Sequence, residues 1–150
     1  RAGAKECERF VREHIDRGES FAVETTLRTR ASIEQAELAR KRGFATQLRF
    51  IATDSIAENV ARVLQRAQGG GHGASERDIR VIHEASVANL RKAIGVFERV
   101  RVYDSTTPWS APRLVAARAT AGSRALASAP HGSSARWRYE VRECPRVVGC

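Results

Sequence analysis

Several common signatures are missing from this chain. It has no methionine, only three lysines against 23 arginines, and only three cysteines among 150 residues. No run of 18 apolar residues occurs, so no membrane-spanning helix is expected. The opening stretch RAGAKECERF is charged, reads as helix and has no apolar segment behind it, which argues against a signal peptide. Cys7, Cys144 and Cys150 are odd in number and lack CxxC spacing, which argues against a disulfide framework or a zinc site. A reducing cytoplasm is the expected compartment. No internal repeat is visible. The chain starts at Arg1 and not at methionine, so a piece of a longer product is expected.

What is present bounds the problem from the other side. With 42% hydrophobic residues, 150 residues suffice for one domain with a core. The net charge is +9, and it is carried almost wholly by arginine. Guanidinium groups suit planar, bidentate contacts to phosphate or carboxylate, so nucleic acid or an anionic nucleotide is a reasonable partner. An arginine-rich composition with no ligand behind it explains the same count equally well.

Helices alternate with short apolar runs along the chain. Residues 4 to 16 place Cys7, Phe10, Val11, His14 and Ile15 on one helical side, and Gly18 ends that helix. Residues 21 to 27 read as a short buried strand. Ser32 and Gln35 form a capping box before the next helix, which Gly43 closes. A second strand is expected over 45 to 52, then a helix from Asp54 and Ser55 to about Gln68. After the loop GGGHGAS a long helix runs from about Glu76 to Glu98, with Gly95 weakening its last turn. Residues 99 to 104 and 113 to 119 read as a third strand and a weaker fourth. That order predicts an α/β domain over residues 1 to 120 with a mainly parallel sheet. Residues 121 to 150 carry +3 of charge and little periodicity; they read as a loosely ordered basic tail with a short strand at RWRYEVR. Trp137 and Tyr139 stand there among arginines in a way that suits stacking on bases.

Three groups of residues carry chemistry. The stretch SFAVETTLRTR leaves its strand through a carboxylate, two hydroxyls and two arginines, as a strand does when its end faces a ligand. Glu24 there can accept a hydrogen bond from a substrate hydroxyl or order a magnesium ion through water, and Thr26 and Arg28 follow it on the same side of an extended strand. Pairing of Glu24 with Arg28 or Arg30 in solvent is the plainer alternative. Arg62 and Arg66, four apart, share one face of a helix that runs into GGGHG, and Arg80 stands early in the next helix. Such a cluster suits a lid over phosphate oxygens; a solvated basic face is the alternative. His72 has no partner at metal-ligand spacing, so no metal site is expected, and His83 reads as a surface or packing residue. Asp104 and Ser105 end the third strand, where open α/β sheets place ligands, or else cap a turn before Pro108.

Taken in order, SFAVETTL, RGF before a strand, RVLQRAQGGGH, a long helix containing ANL, and RVYDS followed by PRLVA resemble the zeta-toxin-like family of P-loop kinases. The resemblance runs from Arg1 to about Thr120. It implies a P-loop-NTPase-like parallel sheet with flanking helices, ATP-dependent phosphoryl transfer with magnesium (Mg2+), and a hydroxyl-bearing small-molecule acceptor, for which a UDP-activated amino sugar is one candidate. It also implies an antitoxin protein as partner. Carried over by position, Glu24 and Thr26, with Arg28, face the acceptor; Arg62, Arg66 and Arg80 are catalytic lid arginines; Asp104 and Ser105 lie by the nucleotide base. The family often has Arg-Arg-Tyr after the lid loop, and this chain has Val81, Ile82 and His83.

The family pattern is incomplete here. No GxxxxGK[ST] occurs, so the phosphate cradle and its lysine are missing, as is the family's general-base aspartate. The N-terminal P-loop strand is therefore expected to be missing too, leaving the strands at 21 to 27 and 45 to 52 without the neighbour they share. Either they pair with each other, or another segment fills the gap, or the fold is unstable. No catalysis is expected from this chain alone. A non-enzymatic basic module for nucleic acid or an acidic partner is the alternative function.

Overall fold

The computed structural model describes residues 2–70, 73–107 and 110–120. His72, Pro108 and the basic tail, with its RWRYEVR stretch, lie outside the described residues. Among the described residues four helices and three strands follow one another: α1 (Ala2–Arg17), α2 (Ala31–Lys41), β1 (Gln47–Ala52), α3 (Ile56–Gln68), α4 (Glu76–Val96), β2 (Arg99–Asp104) and β3 (Arg113–Ala119).

The helix ends follow local chemistry. Gly18 and Gly43 both adopt positive φ after a last helical turn, and in each case the next residue's N–H bonds back to a carbonyl five residues earlier, Glu19 to His14 and Phe44 to Ala39. Glycine takes that conformation without a Cβ clash, so both helices stop where the sequence places a glycine. Ser55 caps α3 by accepting from Glu58 N, and Ser75 caps α4 by accepting from Asp78 N. The capping box expected at Ser32 and Gln35 does not form. Ile33 N and Glu34 N bond to Arg30 O, so α2 starts before Ser32, whose hydroxyl donates to Thr25 Oγ1 instead.

The sheet has the order β1-β2-β3. β1 pairs parallel with β2, and β3 runs antiparallel on the far side of β2 with an irregularity at Val102/Tyr103. The architecture is a mixed α/β one with a small open sheet, not a mainly parallel one. Leu48, Phe50, Val100 and Val102 point to one sheet face and pack with Ala93 and Phe97 at the end of α4 and with Ile33 and Ala36 of α2. A second cluster joins Val11 and Ile15 of α1 to Ala39 of α2, with Phe10, Phe21 and Phe44 packed edge-on or tilted beside it.

The strand expected over 21 to 27 is absent. Residues 19–28 belong to no helix or strand, and Ala22, Val23 and Glu24 are exposed rather than buried. The run is held instead by side chains of α4. Ser86 Oγ donates to Thr26 O, and Asn89 Nδ2 donates to Leu27 O at 2.9 Å. Leu27 is buried in the main core with φ of 55°, a left-handed conformation that costs a leucine about 1–3 kcal/mol. Burial and the bonded carbonyls on either side of its φ/ψ pair hold it there.

Although no disulfide framework is expected from the cysteine count and spacing, Cys7 is disulfide-bonded. No helix among the described residues is long and apolar enough to cross a membrane.

Candidate functional site

The parallel pairing of β1 with β2 brings two chain exits side by side. Ala52 stands opposite Asp104 at the carboxyl ends of the two strands, and Ser105 N continues the ladder by bonding to Ala52 O at 2.8 Å. The exit of β1 is Thr53–Asp54–Ser55, which leads into α3; the exit of β2 is Ser105–Thr106–Thr107. Thr106 ties them together. Its hydroxyl donates to Asp54 Oδ1 at 2.8 Å and accepts from Asp54 N at 3.1 Å.

Arg62 closes this corner from α3. Its Nε donates to Glu58 Oε1 at 2.8 Å, one helical turn earlier. Its Nη1 reaches Ser105 Oγ at 3.3 Å and its Nη2 reaches Thr106 O at 3.1 Å. Three of the five guanidinium N–H groups are thus engaged, and two remain to meet a ligand. Lysine has no planar fork and could not bridge the same three acceptors.

Beside the bracket lies an open hollow of about 650 Å³, lined by Ile51, Glu58, Arg62, Gln65, Ser105 and Thr107, among others. Ile51, Ala61 and Pro112 supply its apolar lining, and the other residues offer hydroxyl, amide, carboxylate and guanidinium groups. That mixture suits a flat heterocycle with polar edges. Asp104, the last residue of β2, does not line the hollow. Thr106, whose backbone N–H donates to Asp104 Oδ1 at 2.8 Å, and then Arg113 at 3.4 Å hold the Asp104 carboxyl below the ordinary carboxylate value.

The structure thus joins two of the expected groups and separates the rest. Arg62 and Ser105 come into contact, with Asp104 adjacent. Arg62 is a bracket between loops, however, and not a free lid arginine. Arg66, one turn on, is exposed, and its side chain makes no hydrogen bond or ion pair with a described residue. Arg80 is committed to Glu76 on its own helix, at 2.7 Å, so an i,i+4 pair takes the place of the expected arginine cluster. Glu24, Thr26 and Arg28 are exposed on the run that forms no strand, so the alternation that would put them on one side does not apply. His83 is half-buried on α4, in keeping with a surface or packing role.

Three residues of the corner went unread as site residues: Asp54, Glu58 and Thr106. Glu58 carried a signal, since a carboxylate four residues before an arginine on a helix predicts their pair. Thr106 carried none until the strands were paired. Among the described residues no group of three His, Cys, Asp or Glu side chains is placed to hold a metal ion.

Comparison with known proteins adds little. An uncharacterized protein of Haemophilus influenzae is 30% identical over 66 residues, a stretch that makes up 44% of each chain. The match thus spans less than half the length of that relative. No family model matches the chain, and no solved structure does.

Proposed function

We propose that this chain is the C-terminal portion of a zeta-toxin-like, ATP-dependent kinase, and that its own contribution is the base-side half of the nucleotide site. The observation that carries this reading is the polar hollow at the carboxyl ends of β1 and β2, bracketed by Arg62. Ligands of open α/β sheets bind at that end of the strands. A second feature supports it. Among the described residues β1 ends the sheet and pairs with β2 alone, and the run 19–28 belongs to no strand, which accords with a sheet that lacks one strand.

The triphosphate is another matter. This chain has no glycine-rich cradle and no P-loop lysine, and Arg80 is occupied by Glu76. The residues present fit the base and ribose end of a nucleotide and not its phosphates, so no phosphoryl step is assigned to them. In the intact kinase the remaining segment would supply the cradle, the magnesium site and the base for the acceptor hydroxyl, whether that acceptor is a UDP-amino sugar or another alcohol.

Thermal unfolding tests this directly. Adenosine and ATP with magnesium are each expected to raise the transition by similar amounts, because only the shared base end is gripped; a ligand that binds only the folded state stabilises it by mass action. Arg62→Ala should abolish both shifts. A transition indifferent to both ligands would sink the assignment of this hollow, and coding sequence ahead of Arg1 without an in-frame P-loop would sink the kinase reading itself.

A further inference from the structure

The register of the sheet puts an unbalanced set of charges on the face opposite the core. Because residues alternate along a strand, positions 47, 49 and 51 of β1 share a face with 99, 101 and 103 of β2. Arg49 stands directly opposite Arg101, and Arg99 is the next residue on that face of β2. Toward the carboxyl end of the strands, Ile51, Tyr103 and Leu114 form the adjacent row. The remaining described positions are glutamine and alanine, so the strands themselves place no carboxylate beside Arg49 and Arg101. On this face Arg49 is exposed, Ile51 is 44% exposed and Leu114 50%, while Arg101 and Tyr103 are half-buried.

The guanidinium groups of Arg49 and Arg101 make no hydrogen bond or ion pair with any described residue. Elsewhere the same arginine-rich chain spends its cations locally: Arg40 on Glu98, Arg42 on Asp16, Arg62 on Glu58, Arg80 on Glu76. Like charges directly opposite in a sheet are destabilising, so this arrangement is one that an external anion would relieve.

We infer that the open face of the sheet binds single-stranded nucleic acid, with phosphates on Arg49 and Arg101 and a base stacked on Tyr103. The geometry favours a single strand over an acidic polypeptide. An aromatic ring and two aliphatic side chains lie one row from the cations, about 7 Å along the strands at the rise of a β-strand. That is about the spacing between phosphates of a stretched single strand and its bases, and stacking on an aromatic ring is how sequence-tolerant single-strand binders gain affinity. This surface stands whether or not the hollow holds a nucleotide.

Fluorescence anisotropy of the full chain with a labelled oligothymidylate tests the inference, with the matching duplex and poly-glutamate as rival ligands. Arg49→Glu combined with Arg101→Glu is expected to weaken single-strand binding at least tenfold and to flatten the salt slope by about 1.4, at about 0.7 per phosphate contact. The milder pair Arg49→Gln with Arg101→Gln should do the same in smaller measure if the double reversal fails to fold. Tyr103→Ala should weaken single-strand binding about fivefold or more and leave duplex binding unchanged. Arg77→Glu with Arg91→Glu, both exposed on α4, should change it less than twofold. An equal loss from the α4 pair would overturn the inference in favour of diffuse attraction, and poly-glutamate bound as tightly as the oligonucleotide would overturn it in favour of an acidic protein partner.

Discussion

Residues 21–27 and residues 47–52 look alike as sequence. Both are short, both mix apolar with polar side chains, and both follow a helix closed by glycine. One becomes β1 and the other forms no strand. The difference lies in what stands beside them. β1 has β2 parallel to it along six residues, with the ladder extended at one end by Arg99 N to Thr46 O and at the other by Ser105 N to Ala52 O. The 21–27 run has no backbone ladder at all and is fastened by Ser86 and Asn89 of α4. A strand is a relation between two backbones, and pattern within one segment reports only half of it.

The contrast can be broken at its strongest point first. Leu27 is the residue by which the strandless run enters the core, so Leu27→Ala should cost about 2–5 kcal/mol, read from the denaturant midpoint. A loss under 1 kcal/mol would mean that the run is not anchored there. Asn89→Ala comes next. It leaves the Leu27 carbonyl buried without its donor, and about 1–3 kcal/mol should be lost, with Asn89→Asp no better because a carboxylate cannot donate. Unchanged stability in both variants would show that contacts other than α4's side chains fix the run.

The paired region should yield less. Arg62→Ala removes the bracket between the two strand exits but leaves the Thr106 bonds to Asp54, so a loss of about 1 kcal/mol is expected, with Arg62→Lys recovering little of it. The smallest effect belongs to Asp104. Its carboxyl titrates below the ordinary value of 3.8 in the folded chain, so its contribution is complete above that value and is lost as the pH falls through the lower folded one. Acid unfolding of Asp104→Asn should therefore be slightly less steep at the acidic end than that of the parent. A steeper acid transition in the variant would reverse the sign assigned to this carboxylate.

The sequence disclosed a good deal where the physics is local. Helix ends at Gly18 and Gly43, the Ser55 cap and the extents of β2 and β3 all depend on residues within a turn or a few positions of each other. The Ser32 box failed because Arg30 O was free to take the first helical N–H groups, a competition that side-chain spacing does not reveal. The site was legible in fragments. Arg62 and Ser105 each stood out, 43 residues apart, but only the parallel ladder puts the end of β2 beside the start of α3. Arg80 misled because Glu76, four residues before it, was the nearer partner. The antiparallel seat of β3 depends on the turn after Asp104 and was not readable from alternation alone.

The outer side of β1 has a consequence for the life of the chain in solution. An edge of six residues with no ladder partner among the described residues, and with Ile51 half uncovered, is a template on which a second copy can grow a ladder, the first step toward insoluble fibres. Arg49 sits near the middle of that edge. Two copies meeting edge to edge in antiparallel fashion would bring their Arg49 side chains close together, and the repulsion works against stacking of identical chains. Read this way, a single cation acts as a gatekeeper, and neutralising Arg49 would shorten the time the purified chain stays clear at high concentration.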